Sequence, residues 1–143
     1  MKTSVVLAVS IVMVSILFCP MVMARPSSTP SDLQIVQPDP SLPKELSAFF
    51  GKWEGSVSGT YTFLIVEKID EENASLYIFR ESSFPEGGAK GWHREKGHVI
   101  KEGGKYKIWY RASGGGTVTG TVFLTLQGEY LDSSAGPRLI RVP

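Results

Sequence analysis

Apolar and polar residues alternate with a period of two through most of the second half of the chain. Lys52 to Ser58 places Trp53, Gly55 and Val57 on one face and Lys52, Glu54, Ser56 and Ser58 on the other, which is the pattern of a half-buried strand. Tyr61 to Ile69 is apolar on both faces in its middle, and Ala74 to Arg80 is rich in β-formers. Gly91 to Lys101 and Lys105 to Arg111 follow, then Thr117 to Val122, Thr125 to Leu131 and Pro137 to Val142. The breaks between them are the turn formers Asp70 to Asn73, Gly103-Gly104 and Gly114-Gly115-Gly116, so the spacing predicts eight short strands. Leu42 to Phe50 is the one predicted helix, a turn or two long. Ser41 is placed to cap it, Pro43 suits its first turn, and Gly51 stops it.

Parallel strands need crossovers of about a dozen residues or more, and the connections here are shorter. The expected architecture is therefore all-β: an eight-stranded antiparallel up-and-down barrel preceded by a short helical turn. A two-sheet β-sandwich is the alternative. Closure would remove exposed sheet edges and leave a barrel about wide enough for one small ligand. Between strands six and seven, Val122-Phe123-Leu124 contains no Gly, Asn or Asp. A tight hairpin wants such residues, so the register there is open.

The N-terminus changes the picture. Lys2 precedes the apolar run Val5 to Phe18, and Val22-Met23-Ala24 puts small or moderate residues ahead of a cut before Arg25. Charge, apolar core and small-residue exit match a secretory signal peptide over residues 1–24. The run is about 14 residues, short of the roughly 20 that span a bilayer. The expectation is export, periplasmic or secreted, with no membrane insertion after cleavage. Cys19 stands between Phe18 and Pro20, which argues against a lipid attachment that wants a small residue before the cysteine. If Cys19 leaves with the signal, the mature chain has no disulfide, thiolate metal site or cysteine nucleophile.

Residues 25–43 hold Pro26, Pro30, Pro38, Pro40 and Pro43. Proline lacks the N–H and fixes φ, so this stretch reads as an extended leader or linker. The globular domain is then 44–143, enough for one core. Loss of Lys2 leaves 14 basic and 14 acidic residues. That balance gives no electrostatic reason to expect nucleic acid or an anionic membrane as partner.

Phe50-Gly51-Lys52-Trp53-Glu54-Gly55, after a helical turn, resembles the Gly-x-Trp opening of the calycins, the lipocalins, fatty-acid-binding proteins and avidin-like barrels. The order of that motif, Leu64 to Asp70, Gly91-Trp92 and Thr125 to Tyr130 is similar to lipocalin-like domains of exported bacterial proteins. The resemblance covers about residues 44–142. It implies that Trp53 closes one barrel end with a basic residue over its ring, for which Arg138 and Arg141 are the candidates. A lipocalin also carries a helix after strand eight, whereas Pro143 follows directly here, which is nearer to avidin-like barrels in length.

Candidate chemistry is sparse. His93 and Glu95 share a strand face and His98 takes the other. That leaves two converging ligands, fewer than zinc wants, so no metal is expected and the strand reads as polar and solvent-facing. No serine lies in a Gly-x-Ser-x-Gly elbow, and Gly114 to Gly116 is a turn rather than a phosphate cradle. Nothing in their spacing favours a catalytic pair among Glu54, Glu67, Glu95 and Glu129. Neither catalytic residues nor a cofactor are assigned. Aromatic residues are plentiful on the strands. The expected barrel lining or rim is Trp53, Phe63, Tyr77, Trp92, Trp109, Tyr110 and Arg111, with Phe84 in the loop from Glu81 to Lys90. Arg80, Arg94 or Arg111 would be polar anchors, since ligand pockets are mostly apolar with a few placed polar groups. The leading expectation is a non-enzymatic binding or carrier domain for a small hydrophobic or amphipathic ligand. The alternatives are a protein- or glycan-binding or inhibitor module with a filled interior and, third, a small barrel isomerase or decarboxylase.

Overall fold

The computed structural model describes residues 26, 28–82, 91–112 and 120–143. The strands are β1 (Gly51–Val57), β2 (Thr60–Ile69), β3 (Asn73–Ser82), β4 (Gly91–Glu102), β5 (Lys105–Ala112), β6 (Gly120–Gln127), β7 (Tyr130–Ser133) and β8 (Leu139–Val142). Each pairs antiparallel with the next, and β1 pairs with β8 to close a barrel. The sandwich alternative is thereby set aside. The one helix among the described residues, α1 (Lys44–Ser47), is shorter than the stretch 42–50 that its flanking signals bracket. Phe84 and the triple glycine lie outside the described residues.

The break between strands six and seven sits elsewhere than the sequence pattern placed it. β6 runs unbroken through Val122, Phe123 and Leu124, and the hairpin falls at Gly128-Glu129. Gly128 has φ +64°, a conformation glycine adopts without a Cβ clash, whereas Val122 to Leu124 supply no residue suited to reverse the chain. β7 is correspondingly short.

The period of two decides what fills the barrel. Trp53 pairs with Leu64, which pairs with Ile78, and Ile108 pairs with Leu124. These side chains join Leu46, Phe49, Val66, Leu76, Val122, Leu131 and Leu139 in one buried core. Gly55 is part of the closure. A Cβ there would lie 2.3 Å from the carbonyl oxygen of Arg138, so only glycine allows β8 to approach β1 this closely.

The end of the barrel beside α1 is sealed. Trp53 is 1 % exposed, and its indole N–H donates to the carbonyl of Phe49 at 2.9 Å. Arg141 sets its guanidinium carbon 4.2 Å from the Trp53 ring centre and donates to the carbonyls of Phe50 and Ala48. Arg138 turns outward instead, over Tyr130 and onto Asp132.

A second apolar cluster lies on the outside. Tyr61, Phe63, Ile65 and Tyr77 are buried there, with Phe79 and Trp92 against them. Burial is completed by the leader. The stretch expected as a linker is extended, and residues 28–36 are docked across β2, β3 and β4 rather than standing away from them. Leu33 packs on the cluster, and the Val36 N–H donates to the Glu67 carbonyl at 2.8 Å. Glu67 sits at an irregularity between Val66 and Lys68 in the β2–β3 register. Such a bulge leaves one residue outside the ladder, here Glu67.

Candidate functional site

The end opposite Trp53 holds a partly enclosed cavity of about 230 Å³ inside the barrel. Its floor is apolar: Leu64, Ile78, Leu124 and Leu139. Thr60, Thr62 and Ser133 add hydroxyls, and the connection at Ala135 to Pro137 contributes one rim. Arg80 and Tyr110 face in from β3 and β5, and the guanidinium donates to the tyrosine hydroxyl at 3.3 Å. Burial raises the Tyr110 pKa above the ordinary tyrosine value; the Arg80 charge and hydrogen bond pull it back down only in part. Tyr110 is therefore a neutral hydroxyl at physiological pH, and Arg80 is the cationic group of the cavity.

Strand parity sorts the residues expected to line the barrel. Trp53 and Tyr110 face inward, one in the sealed end and the other in the cavity. Phe63, Tyr77 and Trp92 face outward beneath the leader. Trp109 is also outside, stacked on His98 with ring centres 4.5 Å apart, and Arg111 is exposed beyond it. Of the three anchors considered, only Arg80 enters the cavity; Arg94 ties down the leader. His93 and Glu95 are on the inward face of β4, opposite Ile78 and Leu76. With Ile78, Arg80, Tyr110 and Ala112 they line a hollow of about 10 Å³, so this face is not the solvent-facing one the sequence reading made it. Among the described residues no group of three or more His, Cys, Asp or Glu is placed to hold a metal ion.

Thr60, Thr62 and Ser133 are cavity residues that sequence reasoning passed over. The signal for the first two was present. A two-residue turn at Ser58-Gly59 pairs Val57 with Thr60 and Gly55 with Thr62, which puts Thr60, Thr62 and Leu64 on the tryptophan face, and Thr62 then pairs with Arg80. Ser133 required the corrected position of β7.

The fold and cavity define an all-β closed barrel with one sealed and one cavity-bearing end. No protein family, curated protein or solved structure matches the chain.

Proposed function

We propose that this protein is an exported binding or carrier domain for a small amphipathic ligand, held inside the barrel with an anionic end at Arg80. The observation that carries this reading is the placement of one cationic side chain beside hydroxyls, above an apolar floor, in a cavity of about 230 Å³. Pockets for small molecules combine apolar walls with a few orienting polar groups. A carboxylate or phosphate would find in the guanidinium a fixed fork of donors, and its apolar part would rest on Leu64, Ile78, Leu124 and Leu139. The volume lies below the roughly 300–1,000 Å³ of drug-sized sites. It therefore favours a short-chain or single-ring acid over a long-chain lipid or haem.

The barrel, its Trp53–Arg141 seal and the Gly-x-Trp opening are compatible with a calycin relation, and the signal-like N-terminus supports export. Titration of the protein with small aromatic and short aliphatic acids, each paired with its uncharged amide, tests the reading. Saturable binding of the acids, weakened about tenfold or more in Arg80→Met, is expected; tenfold corresponds to about 1.4 kcal/mol. Absence of saturable binding throughout the series would leave the outer surface as the functional one. Native mass spectrometry of protein from its own host would report retained ligand and whether the chain begins at Arg25.

A further inference from the structure

The leader is held as a peptide ligand is held. Along residues 28–36 the barrel contacts main-chain groups at several points. The Trp92 indole N–H donates to the Ser28 carbonyl at 3.2 Å, and Arg94 donates to the Asp32 carbonyl at 2.9 Å. The Gln34 N–H donates to a Glu67 carboxylate oxygen at 3.0 Å, and the Val36 N–H to the Glu67 carbonyl. Two side chains supply selectivity. Asp32 takes an ion pair from Arg94 at 3.0 Å and a hydrogen bond from the Tyr77 hydroxyl at 3.1 Å, and Leu33 enters the aromatic cluster.

The receptor side is also braced by contacts within the barrel. Arg94 is fixed by two bonds to the Glu67 carboxylate, which also accepts from Ser75. Its guanidinium lies over the Tyr77 ring, 4.7 Å from the centre. Trp92 is wedged among Phe63, Tyr77 and Phe79, with ring centres 5.3–6.1 Å away. Main-chain hydrogen bonds for affinity, with a few side-chain contacts for specificity, are the usual division of labour in the capture of extended peptides.

We propose that the outer face of β2, β3 and β4 is a peptide-docking surface whose occupant is the 28–36 segment, exchangeable for the same segment of a second copy. The complementarity is of charge and shape together: an acidic residue for Arg94, then an aliphatic residue for the ring cluster. The cis segment is favoured by its high effective concentration, set by the short connection to α1. Exchange becomes visible when that segment is weakened.

The test uses the chain with its leader in place and Asp32→Lys, which sets a lysine against Arg94. A labelled peptide of residues 26–37 is titrated into it and followed by anisotropy. The peptide is expected to bind the Asp32→Lys chain about tenfold more tightly than the unaltered chain, because the cis segment competes less. The same peptide carrying Asp32→Lys should lose about tenfold or more on the altered chain. A shift in tryptophan emission should accompany binding and disappear in a chain that also carries Trp92→Phe. Failure of the native peptide to saturate the Asp32→Lys chain would overturn the proposal. So would equal binding of the two peptides, in which neither the charge nor the receptor face is recognised.

Discussion

Arg141 and Trp53 are cross-strand partners on β8 and β1, and the guanidinium lies over the indole with its central carbon 4.2 Å from the ring centre. The same group donates to the Phe50 and Ala48 carbonyls just after α1. One side chain thus joins the last strand, the first strand and the helical turn. Arg141→Ala is expected to destabilise the protein by about 1–3 kcal/mol, combining a cation–π contact with charge-assisted hydrogen bonds. Arg141→Lys should recover only part of this, because an ammonium lacks the planar fork. Urea denaturation followed by tryptophan emission measures both. Equal stability of all three chains would show that the seal does not depend on Arg141.

Gly55 tests the same seam from the other side. A methyl group 2.3 Å from the Arg138 carbonyl oxygen must push β8 away from β1. That oxygen belongs to backbone and has no rotamer through which to yield. Gly55→Ala is expected to cost about 1–3 kcal/mol, the usual range for overpacking. Amide exchange should rise most at Lys52 to Glu54 and at their β8 partners Ile140 to Val142. Uniform loss of protection around the barrel would contradict a local seam.

How much of this was legible in the sequence depends on the range of the interaction. The strands and their antiparallel order could be read because period-two patterning and turn residues are local. The β6–β7 boundary was misplaced because β-propensity is continuous from Thr121 through Leu126, and only Gly128 marks the turn. The Trp53 seal was readable as a choice between Arg138 and Arg141. Parity decides it: pairing with Trp53 sends Arg141 inward and Arg138 outward. An abundance of strand aromatics suggests cavity lining, yet Phe63, Tyr77 and Trp92 lie on the opposite sheet face from Leu64 and Ile78. They are buried by a leader whose contacts span up to 64 residues of sequence, and no local pattern announces such a contact.

Glu67 gives acid stability a definite sign. Burial pushes its pKa up, but hydrogen bonds from Arg94, the Gln34 N–H and Ser75, with the Arg94 charge, outweigh burial and hold it below the ordinary glutamate value. A carboxylate with a depressed folded pKa contributes stability above its unfolded pKa and loses it as pH falls through the folded one. Stability should therefore decline through and below the ordinary glutamate range. In Glu67→Gln the decline should be shallower, from a lower starting point at neutral pH. Urea midpoints measured from pH 7 down to pH 3 compare the two slopes; parallel curves would remove Glu67 from the acid response.

Arg80 and Tyr110 separate ligand binding from stability. The arginine occupies a cavity wall otherwise formed by apolar residues and hydroxyls, where a half-buried charge contributes little to folding relative to an apolar side chain of similar length. Arg80→Met is expected to change stability by less than about 1 kcal/mol, within the range of ordinary substitutions, while reducing the binding of anionic ligands. Tyr110 supplies a readout that needs no ligand. Its pKa is raised mainly by burial and held back by the Arg80 charge and hydrogen bond, so removing Arg80 must raise it further. A raised tyrosine pKa means stability that is full below the unfolded value and lost as pH rises toward the folded one. Ultraviolet titration of phenolate absorbance, with Tyr110→Phe identifying the transition, should show Tyr110 ionising at higher pH in Arg80→Met than in the unaltered chain. A Tyr110 titration that does not move would mean that the two groups do not interact across the cavity, and would remove the electrostatic basis for placing an anion there.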